Sequence, residues 1–165
     1  MRRSAFPLVA SLLLSSGLAC NAASPGQSGA AEPDTSGVMQ TYRERLAGIE
    51  GDDIDRWLNA HAPNVRFIDP DRPDIVGKDS LRGWGQPFFE TFTMREGNET
   101  VEELRVAGDL AFIRYQFDGQ YTPKGEGEPI DVRGKGILVL QLGDDGAWKI
   151  THNIWNSPAP APSNN

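Results

Sequence analysis

The spacing of hydrophobic residues changes along the chain, from the three-and-four pattern of helices to the alternating pattern of strands. Met39, Tyr42, Leu46 and Ile49 recur at steps of three and four, which predicts a first helix with one apolar face. Beyond Gly97 the pattern is typical of strands. The predicted helices span residues 36–48, 53–60 and 79–92, and the predicted strands span residues 65–69, 100–107, 110–121, 130–142 and 147–155.

Turn signals indicate how these strands are connected. Gly108-Asp109 and the Gly-Asp-Asp-Gly run at residues 143–146 are typical of hairpins, so neighbouring strands are expected to be antiparallel. Pro87 is expected to kink or interrupt the third helix. Helices followed by a meander of long strands predict an α+β fold, with the helices on one face of a single curved sheet.

The first residues have the composition of an export signal. Two arginines precede an apolar run at residues 6–14, which is too short to span a bilayer. Residues 1–19 are therefore predicted to be a signal peptide. The Ser-Gly-Leu-Ala-Cys run at its end resembles a bacterial lipoprotein signal, in which Cys20 becomes the lipid-carrying first residue. Ordinary cleavage nearby, for instance after Ala22, is the alternative.

The segments that flank the central part of the chain carry no hydrophobic periodicity. Residues 20–36 are rich in Ala, Ser, Gly and Pro, as expected of a lipidated cysteine followed by a flexible tether. Residues 157–165 form a Pro/Ala tail that is expected to be disordered. The globular domain is therefore predicted at residues 37–156. We expect it to be exported to the cell envelope and held at a membrane by the lipid alone, or otherwise to be periplasmic or secreted.

Composition and charge exclude several classes of function. The chain has 165 residues, with 16 basic and 23 acidic side chains and a formal net charge of -7. Sequence-independent nucleic-acid binding needs a basic face, so no nucleic-acid partner is expected. One cysteine and two histidines rule out a thiolate zinc cluster and argue against an all-histidine metal site, and the chain has no phosphate-binding loop. We therefore expect neither a metal nor a cofactor.

Three pieces of sequence, in this order and spacing, carry a family resemblance. The first is Val-Met-Gln-Thr-Tyr at residues 38–42. The second is Phe-Ile-Asp-Pro at residues 67–70 with Val-Gly-Lys-Asp-Ser-Leu at residues 76–81. The third is Gly-Ala-Trp-Lys-Ile at residues 146–150, followed by His152 and Trp155-Asn156. Together they resemble the nuclear transport factor 2-like superfamily, in its SnoaL-like, ketosteroid-isomerase-related branch. The resemblance implies a cone, in which three helices close one side of a curved sheet around an apolar pocket.

Two positions of this resemblance imply catalytic chemistry. Ketosteroid isomerases place a general-base Asp before a Pro at the end of the first strand, where this chain has Asp69. They place a hydrogen-bonding Tyr on the first helix, where this chain has Tyr42. Asp69 would then accept a proton and Tyr42 would stabilise the developing oxyanion. The family's second oxyanion group, a protonated Asp, is replaced by about Leu138 when positions are counted back from the turn at Gly143.

Each candidate catalytic residue also has a structural interpretation. Asp69 shares a strand face with Phe67 and is predicted to point inward, but Asp often caps a turn. Tyr42 on a buried helix face can equally be a core residue. His152 is in phase with Trp148, which predicts that it points into the cavity. A hydrogen-bonded core or rim histidine is the alternative for His152.

Five further residues are candidates for ligand binding. Aromatic residues of the second and third helices are expected in the core and in a cavity wall. Arg114 lies in a strand with apolar residues on both faces, so the sequence leaves its orientation open, and a surface ion pair is the alternative. The candidates are Trp57, Trp84, Phe88, Arg114 and Asn156.

Two functions remain open on this basis. The first is a cell-envelope module that binds a small, largely apolar molecule in an internal pocket and forms a homodimer through the outer face of the sheet. The second is a cofactor-independent isomerase or related proton-transfer enzyme that uses Asp69 as base and Tyr42 as hydrogen-bond donor. The missing oxyanion Asp favours the binding module.

Overall fold

The described part of the chain covers the predicted globular domain. The structure is a computed structural model, and it describes residues 34–70 and 72–157. The predicted signal peptide, the predicted lipidation site Cys20 and the tail from residue 158 onward lie outside these residues. None of the helices within the described ranges is long and apolar enough to cross a membrane.

Three helices precede or interrupt the strands of this part of the chain. The turn after the first helix is tight, with Gly51 as its C-cap and Asp52 at a positive φ of 56°. The Asp53 side chain then accepts a hydrogen bond from the Arg56 backbone N–H at 2.9 Å, which caps the second helix. The helices are α1 (Ser36–Glu50), α2 (Ile54–Asn59) and α3 (Lys78–Thr91).

The strands of the described residues form one mixed sheet. They are β1 (His61–Ile68), β2 (Ile75–Val76), β3 (Phe92–Ala107), β4 (Leu110–Pro123), β5 (Ile130–Leu142) and β6 (Trp148–Asn156). Their order across the sheet is β2-β1-β6-β5-β4-β3. β1 and β6 are parallel and all other neighbours are antiparallel. The α+β fold expected from the sequence, a curved and mainly antiparallel sheet with helices against it, is confirmed.

The structure differs from the predicted elements at three places. β1 begins at His61, four residues earlier than predicted, and a register irregularity between His61 and Arg66 accommodates Pro63, which has no N–H. α3 continues across Pro87, which is exposed, so water can reach the carbonyl left without a donor. β3 begins eight residues earlier than predicted and contains two register shifts that hide its alternation.

The inner face of the sheet packs against the helices in two hydrophobic clusters. One lies under α1 and the other lies between β1, α2 and α3. Both bury large side chains almost completely, which is the main stabilising contribution to a domain of this size. The first contains Val38, Tyr42, Ile113, Tyr115, Leu138, Leu140, Trp148 and Ile150, and the second contains Trp57, Leu58, Val65, Phe67, Leu81 and Phe89.

A β-bulge in β6 reverses the side-chain alternation of that strand. Val139 of β5 pairs with His152, whereas the next residue of β5 pairs with Ile150, so Thr151 is an extra residue. Trp148 and Ile150 face inward before the bulge, and Asn153 is the inward-facing residue after it. His152 therefore lies on the outer face.

Candidate functional site

An apolar pocket opens between the three helices and the inner face of the sheet. Its inner volume is about 120 Å³. α1 contributes Leu46 and Ile49 to its wall, and β3 contributes Met94. Aromatic rings from two helices and three strands make up most of the remaining wall: Trp57, Phe67, Trp84, Phe88, Phe89, Tyr115, Phe117, Tyr121 and Trp155.

The aromatic wall is fixed by contacts between rings from different elements. The ring centroids of Phe67 and Trp84 are 4.7 Å apart. Phe88 meets Tyr121 edge to face at 4.8 Å, which joins α3 to β4. Such pairs restrict the rotamers of both rings, so the pocket is largely preformed.

A buried ion pair forms the polar part of the pocket wall. Arg45 of α1 donates from Nη1 to both carboxylate oxygens of Glu99 in β3, at 2.8 and 3.1 Å. The two side chains are only 7% and 9% exposed. The guanidinium also lies 5.1 Å from the centroid of the Tyr115 ring, a cation–π distance. Both charged residues and Tyr115 line the pocket.

Burial shifts the titration of the groups around this ion pair. Burial alone would lower the pKa of Arg45, but the Glu99 carboxylate outweighs it, so the pKa is raised and the guanidinium stays charged. Burial, opposed in part by the charge of Arg45, raises the pKa of Tyr115 to about 12. The Tyr115 hydroxyl therefore keeps its proton at neutral pH and donates to Asn153 Oδ1 at 3.3 Å.

Tyr42 lies beside this network but not in the pocket wall. It is 3% exposed and belongs to the hydrophobic cluster under α1. Its hydroxyl is buried and makes no hydrogen bond that meets normal geometric limits. Burial first, and then the negative charge of Glu99, raise the pKa of Tyr42. Tyr42 is thus a core residue whose hydroxyl keeps its proton.

Asp69 faces the helices but forms an ion pair with a residue of the following turn. It follows Val65 and Phe67 on the inward side of β1 and is 9% exposed. Its Oδ2 lies 2.8 Å from Nε of Arg72. Burial, and to a smaller extent the charge of Asp69, raise the pKa of Tyr121, which lines the pocket. Asp69 is therefore close to the pocket without lining it.

Three predicted site residues lie away from the pocket, and each has a local reason. The Thr151 bulge turns His152 outward, so its predicted phase with Trp148 is wrong. Arg114 points to the outer face, where it is 3.7 Å from Glu102 and 3.7 Å from Glu103. Asn156 is exposed at the end of β6, beyond the pocket. Asp69, Tyr42 and His152 consequently do not converge on one site.

The pocket wall contains polar residues that the sequence did not single out. Arg45 could have been found, because it lies one turn after Tyr42 on the apolar face of the first helix, where a charge is unusual. Glu99 gave no such signal, because the register shifts of β3 hide its inward orientation. Asn153 was missed because the bulge at Thr151 reverses the alternation that the sequence suggested.

His61 has a structural role. It is fully buried, and its Nδ1–H donates to the carbonyl oxygen of Trp57 at 2.8 Å. Burial lowers its pKa to about 3, so it is neutral at physiological pH. Within the described residues, no group of three or more His, Cys, Asp or Glu side chains is placed to hold a metal ion.

The architecture and its inner pocket define a member of the nuclear transport factor 2-like fold. The family model for the SnoaL-like domain matches residues 42–152. The chain therefore belongs to the SnoaL-like domain family. No curated protein matches this sequence.

Solved structures from several bacteria share this fold. A ketosteroid isomerase-like protein from Erwinia carotovora atroseptica has 22% identity and a TM-score of 0.67, with 74% of this chain and 95% of that chain covered. A conserved protein from Planctomyces limnophilus has 16% identity and the same TM-score of 0.67 and the same coverage of 74% and 95%. A nuclear transport factor 2-like superfamily protein from Salmonella enterica has 17% identity and a TM-score of 0.62, with 78% and 93% covered. At these identities the similarity establishes the fold alone.

Proposed function

We propose that this SnoaL-like domain binds a small, largely apolar molecule in the aromatic pocket. The observation that carries the proposal is an aromatic wall around an inner volume of about 120 Å³. A dry apolar cavity of about 150 Å³ holds a benzene molecule. The enclosed part of the pocket therefore suits one ring, and the open mouth allows a larger ligand to extend outward. The predicted export signal and Cys20 would bring this activity to the cell envelope.

The arrangement of the wall supports a ligand site rather than a packing defect. Protein interiors are close-packed, and an unfilled apolar space loses contacts on all sides. Here rings from α3 and β4 pack against one another, as at Phe88 and Tyr121, and keep the space open. The wall combines these apolar rings with a few polar groups, as ligand sites commonly do. The predicted binding residues Trp57, Trp84 and Phe88 contribute to this wall.

The proposal is tested by measuring the affinity of the protein for toluene in an NMR titration. Phe88→Ala should weaken toluene binding about tenfold, because losing a ring from the wall removes roughly 1.4 kcal/mol of contact energy. Phe112→Ala is the matched control, since Phe112 lies on the outer face in register with Val139. Toluene affinity that is absent in the wild type, or equal in both variants, would contradict the proposal.

We also propose that two copies pair through the outer face of the sheet. Ile68, Ile154 and Ile137 form one cross-strand row on this face. Ile137 and Ile154 are each 39% exposed, and a sheet face turned to water normally carries polar residues in such a row. This row extends across three strands, and its apolar side chains would be covered by the same row of a second copy in a self-complementary interface.

The oligomeric state tests this second proposal by sedimentation of the protein at tens of micromolar. The wild type should sediment as a dimer, and Ile137→Lys should convert it to a monomer by burying an unpaired charge. Ile130→Lys is the control, because Ile130 is 50% exposed at the start of β5, away from the row. A monomeric wild type overturns the proposal.

A further inference from the structure

The Arg45 side chain has hydrogen-bond donors that its partner does not use. A guanidinium carries five N–H donors. Among the described residues, the hydrogen bonds of Arg45 run only from Nη1 to Glu99. Its Nε is buried without an acceptor. Nη2 also makes no hydrogen bond within the described residues, but it is not among the fully buried atoms, so it is the donor that an acceptor in the pocket can reach.

The position of Arg45 is fixed from two sides. The Glu99 carboxylate holds one end of the guanidinium, and the Tyr115 ring lies against it at 5.1 Å. The Tyr115 hydroxyl is in turn hydrogen-bonded to Asn153, and a Cβ added at Gly136 would come within 2.6 Å of the same hydroxyl. The glycine thus leaves room for the Tyr115 ring. A donor held in this way costs little further ordering when a ligand binds.

The charges around the pocket disfavour an anionic ligand. Arg45 is the single basic residue among the described residues of the wall, and Glu99 already compensates its charge. The same wall includes the carboxylates of Glu50 and Asp118. A carboxylate ligand would therefore meet a net negative environment, whereas an uncharged oxygen acceptor would not.

We propose that Arg45 is the polar anchor of the pocket, that the ligand is an uncharged ring-sized molecule with an oxygen acceptor, and that Glu99 excludes carboxylates. This inference rests on the proposed ligand-binding function. It adds the polar group of the ligand, its charge and the residue that recognises it.

Three probes with the same ring and different polar groups test the proposal on the wild-type protein. They are toluene, benzamide and benzoate, titrated by protein NMR. Benzamide should bind about tenfold more tightly than toluene, since a hydrogen bond to a charged donor is worth about 1.5 kcal/mol. Benzoate should bind at least about tenfold more weakly than benzamide. The result that would overturn the anchor is toluene binding as tightly as benzamide, or benzoate binding best.

Variants of the ion pair distinguish the contribution of Arg45 to binding from that of the apolar wall. Arg45→Met with Glu99→Met should keep toluene binding and abolish the advantage of benzamide. The matched control replaces the exposed pair Arg105 and Glu103, 3.1 Å apart, by two methionines and should leave all three affinities unchanged. Retention of the benzamide advantage in the Arg45/Glu99 double variant would refute the proposal.

A single substitution tests the exclusion of carboxylates. Glu99→Gln keeps an oxygen that accepts from Nη1 but removes the compensating charge, so benzoate should gain at least about tenfold relative to benzamide. No gain in a folded Glu99→Gln protein overturns the exclusion, and if that variant does not fold, the wild-type benzoate measurement decides. Failure of all three probes to bind the wild type would instead contradict the ligand-binding function itself.

Discussion

Arg45→Met should lower the free energy of unfolding by about 3–5 kcal/mol, one of the two largest effects we expect from a single substitution. The substitution leaves the Glu99 carboxylate, only 9% exposed, without its counter-charge. It also removes the cation from the Tyr115 ring and the link between α1 and β3. Urea unfolding at neutral pH, followed by circular dichroism, measures the loss.

Two further variants distinguish loss of charge compensation from loss of packing. Adding Glu99→Met to Arg45→Met should recover most of the stability, because a buried pair replaced by apolar side chains is often neutral or better. Arg105→Met should cost less than roughly 0.5 kcal/mol, because Arg105 is 73% exposed in its pair with Glu103. If the double variant were as unstable as Arg45→Met alone, packing rather than an uncompensated charge would explain the loss.

Removing one partner of the pair is expected to cost much more stability than replacing both, and this difference bears on why the ion pair is present. A buried ion pair is weak evidence for stability, since two apolar side chains of similar volume often serve as well. The Arg45–Glu99 pair nevertheless lies in the wall of the pocket, where it presents a charged donor without net charge. Recognition of an uncharged oxygen of the proposed ligand would explain why the pair is present, whereas its contribution to stability would not.

The parts of the fold that the sequence predicts well are those that the local pattern of apolar residues and turn residues marks along the chain. The first helix and the fifth strand are examples: the strand predicted at residues 130–142 is observed as Ile130–Leu142. In β6 the alternation fails, because Trp148 and Ile150 suggest that His152 faces inward while the bulge at Thr151 turns it outward. A bulge is set by pairing with neighbouring strands, so one strand's own sequence does not reveal it.

The candidate site also contains some residues that the sequence indicates and others that only the structure reveals. Trp57, Trp84 and Phe88 are large aromatic residues on α2 and α3, and such residues are readily assigned to a core or a cavity wall. The Arg45–Glu99 pair joins residues 54 positions apart on different elements, so only the tertiary structure brings them together. The family resemblance directed attention to Asp69 and Tyr42, whereas the polar groups of the pocket wall come from other positions.

Gly48→Ala should destabilise the protein by about 3 kcal/mol, although alanine is the better helix former. A Cβ at Gly48 would lie 2.5 Å from the backbone nitrogen and 2.7 Å from the Cα of Trp57. Backbone atoms cannot move aside as a side chain can, so α1 and α2 would have to separate, and overpacking of this kind exceeds the helix-propensity gain of about 1 kcal/mol. Since Trp57 lines the pocket, toluene affinity should fall as well.

The same substitution in α3 is the control for Gly48→Ala, and it should have the opposite sign. A Cβ at Gly83 would have no heavy atom within 4 Å outside its own helix and immediate neighbours, and Gly83 is exposed. Gly83→Ala should therefore stabilise the protein by about 0.5–1 kcal/mol through helix propensity and the reduced entropy of the unfolded chain. A urea midpoint that rises for both variants would contradict the prediction for Gly48→Ala, because helix propensity alone would then account for both results.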